Sequence, residues 1–125
     1  MTERVSIMLF SVVNGDPIRR RSLTDLLLSL YPGSIIYELS ESADVVSRLC
    51  KHAVDAVIWE LTDNDPRELY HLNLLRKQHK DALILLCAED DSLLDEAMWN
   101  GASMYFIKPL LPEQIAAALG AVRKA

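Results

Sequence analysis

No apolar run in the sequence approaches the roughly 20 residues that a membrane-spanning helix needs, so no membrane contact is expected. Cysteine is nearly absent. Cys50 and Cys87 form no metal-type spacing, and the expectation is reduced thiols in a cytoplasmic protein. The opening residues Met1-Thr2-Glu3-Arg4 show no basic leader before a signal-peptide core, which points to the same compartment. Glycine is scarce at four residues, and neither G-x-G-x-x-G nor a P-loop pattern occurs. The first turn, Val13-Asn14-Gly15-Asp16-Pro17, has one glycine and no hydroxyl cluster to cradle a phosphate. There is no G-x-S-x-G elbow and no Cys/His pair set up for attack. His52, His71 and His79 share no ligand spacing, and no Cys or Asp pattern completes a tetrahedral site. The expectation is no metal, no cofactor and no enzymatic activity. Positive charge is also short: 13 Lys and Arg against 18 Asp and Glu leave a net charge of -5. That argues against nucleic-acid binding by this domain itself, since binding phosphates requires a basic patch.

What is present is a chain of 125 residues, 50% hydrophobic and 25% charged. That size and composition fit one globular domain over residues 1–125 with a real core and no need of disulfides or metal. The organising stretch is Val54-Asp55-Ala56-Val57-Ile58-Trp59-Glu60-Leu61, a short apolar run that reads as a buried central strand ending in a carboxylate. The turn-rich Thr62-Asp63-Asn64-Asp65-Pro66 follows.

Around it the chain alternates. Val5 to Val13 reads as a first strand covered on both faces. Asp16 is placed to cap a helix with Pro17 at its first position, and Leu23, Leu26, Leu27 and Leu30 share one face. Ser34 to Leu39 is a second strand. A helix capped by Ser40 or Ser42 holds Val45, Val46 and Leu49. After the central strand, Pro66 opens a helix with Leu69, Leu72 and Leu75 inward. Ala82 to Cys87 is a fourth strand, and Asp90-Asp91-Ser92 opens a helix with Leu94, Ala97 and Met98 inward. Met104 to Ile107 is a fifth strand ended by Lys108-Pro109. Pro112 opens a last helix with Ile115, Leu119 and Val122 inward. Five strands alternating with five helices imply an α/β fold, doubly wound, with a parallel sheet and helices on both faces. In such a sheet, ligands gather at the carboxyl ends of the strands, where Glu60 stands. The chain ends after the fifth helix, so any effector module is expected elsewhere.

The segment Gly101-Ala102-Ser103-Met104-Tyr105-Phe106-Ile107-Lys108-Pro109-Leu110 resembles the G-A-x-x-Y-[LIF]-x-K-P-[FL] signature of response-regulator receiver domains. Asp55 to Glu60 matches that family's D-L-[VI]-[LI]-x-D strand, and Asp16-Pro17 its first helix start. The resemblance covers essentially the whole chain and implies a flavodoxin-like five-stranded sheet, (βα)5, in strand order 2-1-3-4-5. It also implies a phosphoryl acceptor at the end of the third strand and an acidic pair holding Mg²⁺. A Thr or Ser ends the fourth strand in that pattern, and a lysine pairs with the phosphoryl group. Phosphoryl transfer needs a hard cation on oxygen ligands and positive charge on the moving group.

Here the acceptor position carries Glu60, the acidic pair Asn14 and Gly15 with Asp16 as the nearby acid, and the Thr/Ser position Cys87, a poor donor to phosphoryl oxygen. Only Lys108 and Tyr105 match. The reading is a degenerate pocket of Glu60, Asp16, Asn14, Gly15, Cys87 and Lys108 in a pseudo-receiver without an aspartyl-phosphate cycle. One hypothesis pairs Glu60 with Lys108; the alternative leaves Glu60 as a solvated strand-end carboxylate. Cys87, beside Lys108, is a candidate for a lowered pKa.

The resemblance further implies a signalling or dimer face on the fourth helix, fifth strand and fifth helix. Trp99, Tyr105, Ala117 and Ala121 fall there, and small residues permit close helix approach. Plain helix propensity accounts for the alanines equally well. Arg19-Arg20-Arg21 is either a contact for an acidic partner or a solvated first turn. Three functions follow. The first is a phosphorylation-independent interaction or dimerisation module in signal transduction or transcription regulation, its partner a protein or a second copy. The second is a receiver that accepts phosphate on Glu60 or on a nearby acid such as Asp63. The third is a cofactor binder or enzyme on the same fold.

Overall fold

In the computed structural model, which describes residues 7–49 and 51–120, the strand β3 (Ala56–Glu60) lies at the centre of one parallel sheet. Val5, Cys50, Ala121 and Val122 lie outside the described residues. The other strands are β1 (Leu9–Val13), β2 (Ile35–Leu39), β4 (Leu83–Ala88) and β5 (Met104–Ile107). Their order is β2-β1-β3-β4-β5, every pairing parallel, which is the doubly wound flavodoxin-like order. The helices are α1 (Pro17–Leu30), α2 (Ser42–Asp44, continuing in π form over Val45–Leu49), α3 (Pro66–Gln78), α4 (Leu94–Trp99, after a 3₁₀ turn at Asp91–Leu93) and α5 (Pro112–Leu119).

Strand alternation sorts the core into two layers. Phe10, Val12, Ala56, Ile58, Leu85 and Cys87 pack with Leu23 and Leu27 of α1 and Ile115 and Leu119 of α5. Val13, Val57, Trp59, Ile84 and Leu86 pack on the other side with Val45 and Leu49 of α2, Leu69, Leu72 and Leu75 of α3, and Ala97 of α4. Side chains two apart on a strand share a face. Glu60, two after Ile58, therefore sits on the α1/α5 side, and its neighbours Trp59 and Leu61 on the other.

Local chemistry sets the helix starts. The Asp16 carboxylate accepts from the amides of Ile18 and Arg19, with Pro17 at the first helical position. Asp65 caps α3 in the same way, followed by Pro66. The second helix departs from expectation: Glu41 is its N-cap, without a side-chain bond, and the Ser42 hydroxyl bonds His71 Nδ1 at 2.8 Å instead. In α1 only Leu23 and Leu27 of the leucine face are fully buried, and Leu30 is exposed.

The fourth helix is rotated from its expected phase. The 3₁₀ turn has three residues per turn and directs Leu93 inward, so Ala97, four residues on, is the buried position. Leu94 and Met98, expected inward, lie at 39% and 43% exposure. Gly101 turns the chain into β5 with φ +114, and a Cβ there would meet the Arg76 side chain at 2.6 Å. No helix among the described residues is long and apolar enough to cross a membrane.

Candidate functional site

The carboxyl ends of β1, β3, β4 and β5 bring together Asn14, Gly15, Asp16, Glu60, Cys87 and Lys108, together with Arg19. Glu60 ends β3, is 7% exposed, and stands opposite Cys87 of β4. Its Oε1 accepts a hydrogen bond from Arg19 Nε at 2.9 Å. Arg19 Nη2 donates to the Leu110 carbonyl at 2.7 Å. One guanidinium thus fixes Glu60 and ties the first turn of α1 to the segment leading into α5. The planar fork of arginine serves two acceptors at once, which a lysine ammonium does less well.

Lys108 is engaged elsewhere. Its Nζ donates to the Leu61 carbonyl at 2.9 Å and to Glu89 Oε1 at 3.1 Å. Neither reading of Glu60 holds: it does not pair with Lys108, and at 7% exposure with Arg19 bonded to it, it is no solvated carboxylate. The reason is the face on which each group lies: Glu60 points to the α1 side, where Arg19 waits, and Lys108 meets the nearer carbonyl of the next residue.

Asn14 is buried at 7% exposure. Its Oδ1 accepts from the Asp16 amide at 2.9 Å, its carbonyl accepts from Arg20 Nη1 at 2.8 Å, and its Nδ2 is buried without a partner. The Asp16 carboxylate is committed to capping α1. Gly15 is open: a Cβ there would meet only ordinary contacts with the Ser40 carbonyl and Thr62 Oγ1. Mg²⁺ demands several oxygen ligands in octahedral array. The residues present are a neutral amide, a glycine, a capping carboxylate and a carboxylate already bearing an arginine. They do not fit that ion. Among the described residues no cluster of three or more His, Cys, Asp or Glu side chains could hold a metal.

Cys87 is fully buried, and burial pushes its thiol up to about 11, with the nearby Glu60 carboxylate adding to the rise. That rules out the candidate lowering of its pKa: desolvation of a fully covered sulfur outweighs the help of Lys108 and Arg19.

Sequence reasoning missed Glu68. It lies in the first turn of α3, 6% exposed, accepting from the Thr62 amide at 2.7 Å and from Trp59 Nε1 at 3.3 Å. Desolvation raises its pKa against the lowering effect of those two donors. The spacing Asp65-x-x-Glu68 reads as a capping box, but Glu68 reaches past the cap to Thr62, which spacing alone does not foretell. It missed the pairing of Arg19 as well. The arginine cluster is used internally: Arg20 approaches Glu38 Oε1 at 3.4 Å, and Arg21 pairs with Asp25 on the exposed side of α1.

The face of α4, β5 and α5 has the opposite character. Trp99 is 88% exposed. Leu94, Met98, Met104, Ile107, Leu111 and Ala117 on or beside the same elements are exposed as well. Tyr105 is half-buried, its hydroxyl donating to the Asp90 carbonyl at 2.5 Å, and burial raises its pKa.

No family model matches the sequence, and no curated protein matches it. Solved structures do match. A candidate pilus assembly protein (cpaE) from Burkholderia thailandensis superposes with a TM-score of 0.78 at 24% identity, over 93% of this chain and 98% of that one. The Vibrio cholerae chemotaxis protein CheY4 gives 0.79 at 18% identity, over 94% and 100%. A CheY-like response regulator receiver domain protein from Methanospirillum hungatei gives 0.81 at 14% identity, over 92% of each chain. The chain therefore has the fold of CheY-like response-regulator receiver domains. At these identities the likeness is one of fold.

Proposed function

We propose that this chain is a pseudo-receiver: a regulatory interaction module in signal transduction or transcription regulation that works without an aspartyl-phosphate cycle. One observation carries the reading. The carboxylate at the acceptor position bears an arginine from the same chain, bonded at 2.9 Å. A phosphoryl donor would have to break a partly buried, charge-assisted bond to reach it, and leave Arg19 without its partner. The cation site that such chemistry requires lacks its acids. The exposed apolar residues of α4, β5 and the start of α5, Trp99 at 88% foremost, support contact as the mode of action, since exposed aromatics are enriched where proteins meet. Its partner is a protein or a second copy of this chain.

The test is intact mass after incubation with acetyl phosphate and Mg²⁺, with sedimentation before and after. The expected outcome is an unchanged mass and an association state indifferent to the donor. A mass gain of one phosphoryl group would replace this reading with that of a phosphate-accepting receiver.

A further inference from the structure

Asp63 and Asn64 both hold left-handed backbone conformations, φ 50 at each. Non-glycine residues adopt that region at a cost, and Asn and Asp do so most readily. The conformation puts the Asn64 amide across the gap between two loops. Its Oδ1 accepts from the Glu89 amide at 3.1 Å. Its Nδ2 donates to Asp90 Oδ1 at 3.0 Å and approaches Ser92 Oγ at 3.4 Å. An amide offers both a donor and an acceptor on one short stem, and both are used.

The segment it grips, Glu89 to Ser92, leads directly through the 3₁₀ turn into α4. β5 holds the same segment from the other side: Tyr105 donates to the Asp90 carbonyl, and Lys108 bridges the Leu61 carbonyl and Glu89. The Asp90 carboxyl lies below its ordinary value chiefly through Ser92, with Asn64 contributing.

We infer that Asn64 is a built-in latch: its side chain holds the β4–α4 loop closed onto the β3–α3 loop, and so fixes α4 and the face around Trp99 in one position. The inference deepens the proposed function, on which its regulatory meaning rests, because a latch made of side chains needs no phosphoryl group to close it. Asn64 is a positioning residue and touches no ligand.

The experiment is residue-resolved amide exchange and ¹⁵N shifts on the full chain in phosphate-free buffer, for wild type and three variants. Asn64→Ala removes the latch. Asn64→Asp keeps its shape but replaces the donor to Asp90 with a second carboxylate. Asn64→Gly removes the latch while relieving the left-handed backbone. In Asn64→Ala and Asn64→Gly the Glu89 amide should exchange at least about tenfold faster, as expected for a lost hydrogen bond of ordinary strength; Asn64→Asp keeps an acceptor for that amide and breaks only the contact to Asp90. The amides of Leu93, Leu94 and Tyr105 should move, and that of Leu86 in β4 should not. Asn64→Gly should do this without loss of melting temperature, which separates a latch from a general loss of stability. Unchanged exchange at Glu89 in Asn64→Ala and Asn64→Gly would overturn the inference, as would faster Glu89 exchange with unmoved α4 and β5 resonances, or acceleration spread evenly through β4. Phosphorylation of the wild-type chain would defeat the proposed function while leaving these exchange readings to judge the latch by themselves.

Discussion

The carboxyl ends of the strands and the β5 edge of the same domain are built on opposite plans. At the strand ends, Glu60 is held by Arg19, Lys108 by Leu61 and Glu89, and Asp16 by the helix it caps. On the α4–β5–α5 face, Trp99, Met98 and Ile107 are exposed, Trp99 almost completely. Polar groups that could bind a ligand are consumed internally, while apolar groups that ordinarily seek burial are left out. The first arrangement engages the side chains at strand ends where the fold makes a site available. The second leaves apolar side chains exposed to solvent. The difference teaches that a shared fold sets where a site can lie, while the side chains that reach it decide what it can do.

The largest effect should come from opening the closed end. Arg19→Ala leaves Glu60 buried without its partner, and a loss of about 2 kcal/mol is expected, or about 8 °C in Tm for a domain of this size. Urea unfolding measures it. Arg21→Ala, in the same cluster but on the solvated side, should stay within about 0.5 kcal/mol. Equal losses would erase the distinction between Arg19 and a surface arginine.

On the open face the expectation is reversed. Trp99→Ala should change stability by less than about 0.5 kcal/mol. If the partner is a second copy of this chain, it should weaken self-association about tenfold, as for an exposed aromatic at the centre of an interface. Sedimentation at several concentrations reads this directly, and an unaltered association would remove Trp99 from the face.

Most of the fold was legible in the sequence. Asp16-Pro17 and Asp65-Pro66 act locally, through a carboxylate on nearby amides and a preset φ, and both helices begin where those pairs predict. Leu69, Leu72 and Leu75 are buried as their spacing requires. The phase of α4 was not legible, because a 3₁₀ turn before a helix shifts every later position and leaves no mark in periodicity. Glu60 was placed correctly at the strand end. Its partner was not, because Arg19 lies 41 residues away and Lys108 stood as an equally reasonable cation. Only the face on which α1 packs decides between them. Strand alternation from Ile58 puts Glu60 on that face, and this was the one usable signal.

Two smaller effects concern titration. Glu68 has a raised pKa in the folded state, so its contribution is fully present below the ordinary carboxyl value of 4.5 and is lost as pH rises through the raised value. Relative to Glu68→Gln, the wild type should therefore lose stability across that window, in a series of unfolding curves from pH 4 upward. A difference between the two that stays flat with pH would contradict the burial argument. Cys87, at about 11 against an ordinary 9.0, behaves with the same sign at higher pH: its contribution holds below pH 9 and fades toward 11. At pH 7.5 its alkylation by iodoacetamide, followed on the Cys87 peptide, should be far slower than that of a free thiol. Rapid labelling would mean that the closed end opens.

Whether Glu60 is held by its own chain and not open to a phosphoryl group is tested most directly by the Nε–H resonance of Arg19. A bond to Glu60 should keep that proton in slow exchange, with a distinct shift that disappears in Glu60→Ala. Adding Mg²⁺ and then beryllofluoride should leave the signal in place. A saturable shift or loss of the Arg19 signal on adding the two would show that the pair gives way to a phosphoryl mimic, and would contradict the account.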